Sequence, residues 1–406
     1  MSLYDGDGGA GISGRAAGRR GAIRAFFLAT AMVSIASVMF ETTFNNFLDD
    51  RFHMEADARG RLELPRELPG FLVSVMTGVL FFVAEAPLAT LAASLIGGGM
   101  LMLGFVGEGQ YAAMMAGMIV WSVGTHLLMP AQSALALELS DPEAKATTLG
   151  QLSGVSMGAG IVGSLFVSAA MRWLHFEYRH IFFAGAAAAA IGAVAYLSVR
   201  SSGARKAPRP KWVVRKEYSL YYLLAFLFGA RKQVFITFGP WVLVKIFGRG
   251  PETIAALWFI GGVLGVVFRP FLGRMIDRFG ERAVLMADAL ILIFVCLGYG
   301  FGRSLGGIGL YLTCACFVAD YLLFAMEMAR TTYLDRIAVE RSDITQTLSL
   351  GISINHAVSM IVPSFAGWLW VSLGYEWVFC VAAFICVAML IASSRIPARS
   401  AGRSAV

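Results

Sequence analysis

Apolar residues in this chain come in runs of about 20, the length a helix needs to cross a hydrocarbon core of roughly 30 Å, and short polar stretches interrupt them. Twelve such runs can be placed: about 22–48, 70–83, 88–106, 112–137, 147–171, a sixth ending near 198, a seventh opening at Tyr218, then 253–272, 283–299, 310–334, 346–370 and a twelfth closing near 393. The pattern predicts an all-α integral membrane protein with twelve transmembrane helices. The stretch 49–67, between the first two runs, carries charges of both signs and reads as an outer loop with a short amphipathic turn before Pro69.

Composition agrees with the pattern, since 58% hydrophobic and 15% charged residues with a mean hydropathy of +0.70 lie outside the range of soluble domains. A formal charge of +7 raises the question of nucleic acid. The basic residues gather in the ends and short loops on one predicted side, however, and no segment is long enough to fold into a basic face, so no nucleic-acid partner is expected. That asymmetry follows the positive-inside rule and places both termini in the cytoplasm of a bacterial inner (plasma) membrane, with lipid as the surrounding partner.

The first 21 residues are Gly- and Arg-rich and lack an apolar core followed by a cleavage site, which predicts a disordered cytosolic tail instead of a signal peptide. A basic stretch at 200–217, with Pro208 and Pro210, reads as a cytosolic linker held at the inner face, and 396–406 as a second tail. Trp173, Trp241, Trp370 and Trp377 fall at predicted outer ends, as in an aromatic belt. All five cysteines lie in apolar runs of the second half, and Cys314 and Cys316 would point to opposite sides of a helix, so neither a disulfide framework nor a metal site is expected.

A charged side chain in mid-membrane costs at least about 2.5 kcal/mol, so such groups pair, face a cavity, or do both. Span one carries Glu41 and Asn45, and Thr42 and Asn46, each pair four residues apart, making one polar stripe turned from lipid. Span four contains His126, and span seven Arg231, Lys232 and Gln233. Asp288 lies in span nine near its inner end. Span ten contains Asp320, Glu327, Arg330 and Thr331, of which Asp320, Glu327 and Thr331 share a face; span eleven holds Asn355 and His356. Arg231 or Lys232 is expected to bind an anionic group of a substrate, and Glu41 or Asp320 to exchange a proton. The competing reading is a set of structural ion pairs, such as Glu41 with Lys232. Either histidine is a packing residue or a proton relay, and Glu327 and Arg330, at i, i+3, can neutralise each other.

Between the runs at 253–272 and 283–299 stands the decapeptide Gly273-Arg274-Met275-Ile276-Asp277-Arg278-Phe279-Gly280-Glu281-Arg282. Nothing so polar can sit in hydrocarbon, and glycine permits close approach and positive φ, so a tight cytoplasmic turn between two helices is expected. The decapeptide resembles the loop signature G-x-x-x-D-R-x-G-x-R of the major facilitator superfamily of secondary transporters. The resemblance implies a conformational latch at Gly273, Asp277, Arg278, Gly280 and Arg282, with Asp277 as the latching group. It also implies that spans one, four, seven and ten line a central cavity, and those spans hold Glu41, His126, Arg231, Lys232, Asp320 and Glu327. The equivalent first-half position, Ala84-Glu85-Ala86-Pro87, has no Lys or Arg, which puts a symmetric pair of latches in doubt.

An internal duplication points the same way. Phe40-Glu41-Thr42 answers Phe235-Ile236-Thr237, and the stretch from Thr148-Leu149 to Phe166 answers that from Thr347-Leu348 to Phe365, at offsets of 195 and 199 residues. Two pseudo-symmetric six-helix bundles, 22–199 and 218–395, are therefore expected. Span five has Gly150, Gly154, Gly158, Gly160 and Gly163, spacings that suit close helix packing. It resembles the glycine-proline signature of drug–proton antiporters, except that Ala159 and Val162 stand where that signature wants proline and glycine; this resemblance implies efflux.

No nucleophile elbow, Walker loop or zinc-protease motif is present, so the chain reads as no enzyme and as needing no cofactor, with an ion gradient driving any uphill movement. The expectation is a monomeric, proton-coupled transporter of a small anionic or zwitterionic organic solute. The alternative is a non-transporting receptor or assembly subunit on the same fold.

Overall fold

The computed structural model describes residues 8–73, 76, 79–80, 83–141, 145–199 and 214–397. Most of those residues are helical, with no strand among them. The helices are α1 (Gly8–Phe52), α2 (Ala56–Phe71), α3 (Glu85–Gly104), α4 (Tyr111–Leu139), α5 (Lys145–Trp173), α6 (Tyr178–Leu197), α7 (Ser219–Lys245), α8 (Pro251–Phe301), α9 (Gly307–Leu323), α10 (Glu327–Ile337), α11 (Arg341–Leu373) and α12 (Tyr375–Ser394). Among the described residues nine helices are long and apolar enough to cross a membrane. Helix α2, with 16 residues, is too short for that group, and Arg231 and Lys232 lower the hydropathy of α7.

Helix α8 runs for 51 residues, which as one rod would reach roughly 75 Å, far beyond a bilayer. It is broken at Gly280, where φ is 78° and ψ 163°, a conformation open essentially to glycine alone. The break falls inside the predicted charged turn and divides α8 into the eighth and ninth spans. Gly273 does not share that role, since its φ is not positive and the space where a Cβ would sit is open. With α8 counted as two spans, and α9 and α10 together as the tenth, the helices are consistent with twelve crossings.

Two sequence expectations give way here. Helix α1 begins at Gly8 instead of near Ala22, so the part of the predicted tail from residue 8 onward is helical. Once a span is formed, adding residues at its end needs no new nucleation, and Ala and Arg propagate helix well. The stretch read as an outer loop is mostly helix α2, and Arg59, Glu63, Arg66 and Glu67 within it are buried. Residues 1–7, most of the predicted linker (200–213) and 398–406 lie outside the described residues, as does part of the predicted second span.

The chain forms two compact units, one of residues 1–41, 73–166 and 175–207, the other of residues 42–72, 167–174 and 208–406. The end of α1 and all of α2 belong to the second unit. In the first unit Phe40 stacks on Trp121 at 3.7 Å, and Gln132 donates to the Tyr196 hydroxyl at 2.7 Å. Of the span-five glycines, Gly160 and Gly163 lie against Val38 and Ile35, whereas Gly150, Gly154 and Gly158 have open space beside them among the described residues. In the second unit α2 lies directly on α11, because a side chain at Gly60 would strike the Pro363 carbonyl and one at Gly367 the Ala56 carbonyl. That contact brings the charges of α2 into the unit's interior.

Candidate functional site

The second unit holds two groups of buried charge. The first is centred on Arg231 of α7, which is fully buried. Its Nη1 donates to Asp320 Oδ1 of α9 at 2.6 Å, a charge-assisted hydrogen bond of the strong kind. The guanidinium carbon lies 5.5, 5.3 and 5.4 Å from the ring centres of Phe228, Phe235 and Phe324. Phe228 and Phe235 flank Arg231 at i−3 and i+4, so α7 itself supplies two of the three rings. Arg330 of α10 covers the same Phe228 ring at 3.4 Å. Asp288 of α8 is also fully buried and lies within the electrostatic reach of Arg231 and Arg330.

Asp320 is buried, whereas Glu327 and Thr331, expected on its face, are exposed. A tighter 3₁₀ turn, Phe324–Met326, joins α9 to α10. Three residues stepping at about 120° instead of 100° rotate everything beyond by roughly 60°. This swings Arg330 toward the side of Asp320, where it is buried, and turns Thr331 away. Glu327 still acts electrostatically on Arg330, as the i, i+3 spacing implies.

The second group was not foreseen. Glu63, wholly buried on α2, accepts from Arg59 Nη1 at 2.5 Å, Arg66 Nε at 2.9 Å and Gln233 Nε2 of α7 at 2.8 Å. Arg59 Nε in turn donates to Asn45 Oδ1 at 2.8 Å. Glu67 takes Arg66 Nη2 at 3.4 Å on one oxygen and His356 Nδ1 of α11 at 3.0 Å on the other. Hydropathy alone hides this arrangement, because it scores each charge as though unpaired. The signal that could have found it is the i, i+3, i+4 spacing of Arg59, Glu63, Arg66 and Glu67, which puts opposite charges on one helical face.

Lys232 is half-buried beside both groups, and Glu67 and Glu327 attract it while Arg66 and Arg330 repel it. The remaining expected residues are placed as follows. Glu41 is half-buried on α1 in the first unit. His126, in the same unit, donates from Nδ1 to the Ser122 carbonyl at 2.9 Å, a local bond within α4. Asn355 accepts a long bond from Ser359 Oγ at 3.4 Å, and its backbone backs onto Gly229. Cys296 and Cys386 are buried with their sulfurs 3.9 Å apart, and all five cysteines are free.

In the charged turn Asp277 and Arg278 are exposed and Arg282 half-buried, with Arg278 over the Phe279 ring at 5.2 Å. The turn's buried anchor is Glu281, paired with Arg336 of α10 at 3.5 Å. Arg336 Nη1 also donates to the Pro397 carbonyl at 3.1 Å.

Long apolar helices with charges gathered in their buried interior define a polytopic integral membrane protein. The family model described as Major Facilitator Superfamily matches residues 68–341, more than half of the chain, and the protein belongs to that family. Its fold is that of secondary transporters, not of enzymes. Among solved structures, the nucleoside transporter NupG is similar at 12% identity and a TM-score of 0.73, covering 92% of this chain and 98% of its own. A POT family transporter in complex with 5-aminolevulinic acid is similar at 13% identity and 0.71, over 92% and 96%. A bacterial homolog of the human lysosomal transporter Spinster, in an inward-facing and unoccupied conformation, is similar at 12% and 0.67, over 93% and 98%. By sequence, no curated protein matches significantly.

Proposed function

We propose that this transporter moves a small anionic or zwitterionic organic solute across a bacterial inner membrane by proton-coupled alternating access, as a monomer with both termini cytoplasmic. The observation that carries the proposal is the contrast between neighbouring cations. Arg231 gives its Nη1 to Asp320 inside an aromatic box, whereas Lys232 is only half-buried and is held by the more diffuse pull of Glu67 and Glu327. A substrate carboxylate or phosphate would give Lys232 the direct partner that Arg231 already has. Proton exchange belongs to Asp320 or Glu41, both in spans that line the cavity in this family, and the glycine-rich fifth span favours efflux. The similar POT structure holds 5-aminolevulinic acid, a zwitterion of the proposed size.

A receptor or assembly subunit is the second reading, supported by the absence of any Lys or Arg from 84–87. A ligand-stabilisation screen on purified protein, followed by flux in proteoliposomes with and without a pH gradient, separates the two. Transport predicts gradient-dependent flux of a stabilising compound, lost in Lys232→Met with folded protein retained. Full flux in Lys232→Met removes the lysine from substrate binding, and stabilising compounds that never cross the bilayer support the receptor.

A further inference from the structure

Asp288 lies on α8's second segment, two turns beyond Glu281, and it has no part in substrate binding at Lys232. It is fully buried, and neither of its oxygens has a hydrogen-bond partner among the described residues. Two cations nearby have unused donors. Arg231 spends Nη1 on Asp320 and leaves Nε and Nη2 without partners, and Arg330 leaves Nη1. Donors and acceptors are therefore close in number but not joined in this arrangement. Arg231 of α7, Asp320 of α9 and Arg330 of α10 lie within electrostatic reach of Asp288, and two turns further along α8 Cys296 lies against Cys386 of α12.

An ionised carboxylate buried without a donor is costly by several kcal/mol, while the protonated acid is cheap by comparison. We infer that Asp288 is a proton-binding site of this transporter, with Arg231 as the cation that Asp288 and Asp320 share in turn. In the arrangement described here Asp288 carries the proton and Arg231 pairs with Asp320. Release of that proton to water leaves a carboxylate that draws in the free Nε and Nη2 of Arg231, pulling α7 relative to α8 and loosening the bond to Asp320. Rebinding a proton reverses the shift. Proton release and helix movement are thus the same event, as coupling requires.

The inference rests on the proton-coupled reading above, yet its test needs no substrate, so the two can fail separately. Purified protein in lipid is titrated across neutral pH with infrared difference spectroscopy, using aspartate labelled with 13C at the side-chain carboxyl. Wild-type protein should show a protonated-acid carbonyl band that shifts with the label. Asp288→Asn should lack it while eluting as folded monomer, and Asp288→Glu should restore a band that no longer shifts with labelled aspartate. Asp320→Asn should reduce the band, because Arg231 then has only Asp288 to pair with. A wild-type spectrum without an aspartic acid band, or an unchanged band in Asp288→Asn, overturns the inference. Should Asp288→Asn fail to fold, the Asp288→Glu spectrum decides: a band that still shifts fully with labelled aspartate there also overturns it.

Discussion

Glu67 of α2 and His356 of α11 are joined through a single hydrogen bond of 3.0 Å, although 289 residues separate them. Replacing His356 with Ala removes this donor from Glu67 and leaves the Arg66 contact at 3.4 Å in place. A bond to a charged group contributes about 1.5–3 kcal/mol, so a clear drop in the thermal midpoint of detergent-purified protein is expected. His356→Asn, which retains an N–H donor, should recover part of it; equal midpoints for His356→Ala and wild type would remove the bond from the account of stability.

Glu63 should be the more sensitive position. Its two oxygens take three donors from Arg59, Arg66 and Gln233, and Glu63→Ala would remove the carboxylate that two buried guanidinium groups share. Breaking a buried pair from one side costs about 3–5 kcal/mol. Folded yield on size exclusion should collapse for Glu63→Ala, while Gln233→Ala should lower the thermal midpoint only moderately.

The charged turn allows a paired comparison. Gly280→Ala forces an L residue to φ 78° and should cost about 1–3 kcal/mol. Gly273→Ala meets open space and should stay within about 0.5 kcal/mol of wild type. Thermal midpoints of the two variants, measured side by side, check the assignment of the turn's hinge to Gly280; a larger loss at Gly273 would reverse it.

A pH effect is expected where the chain enters α7. Tyr218 is buried, donates to Asp343 Oδ2 at 2.7 Å and accepts from the Val339 N–H at 3.0 Å, while Arg215 grips Asp343 at 2.8 Å and Glu340 at 2.6 Å. Burial, then the bond to Asp343, raise the Tyr218 pKa above its ordinary value. The folded state therefore holds this proton more tightly than the unfolded chain. The resulting stability is complete below the ordinary tyrosine pKa of about 10 and is lost as pH rises through the higher folded value. Wild type should be more stable than Tyr218→Phe at neutral pH, and the difference should shrink in strongly alkaline buffer. A difference independent of pH would show that the hydroxyl's proton is not what matters.

The spans and the turn could be read directly from the sequence because both depend on local pattern: apolar length for α3 or α12, and two glycines around a charged run for 273–282. Arg231 and Asp320 were also legible as unusual, since a charge in an apolar run is conspicuous, but their pairing was not, because it depends on which faces α7 and α9 present. Helix α2 was missed for a definite reason. A sum of single-residue transfer costs rejects a segment with Arg59, Glu63, Arg66 and Glu67, although their charges cancel in place. The 3₁₀ turn at Phe324–Met326 has no marker residue, so the rotation that brings Arg330 to the side of Asp320 could not be anticipated. Glu281 stands in a motif whose named positions lie elsewhere, and its partner Arg336 becomes a neighbour only after α8 and α10 pack.

Helix α2 also sets an order on the protein's manufacture. When its codons have just been translated, Gln233 and His356, which later complete the shells of Glu63 and Glu67, are still unmade. The nascent segment must wait near the insertion channel or the lipid surface, held by its internal pairs and by Asn45. It can settle only when the ribosome has delivered the seventh and eleventh helices, so a chain stopped after residue 199 would leave that segment without a berth.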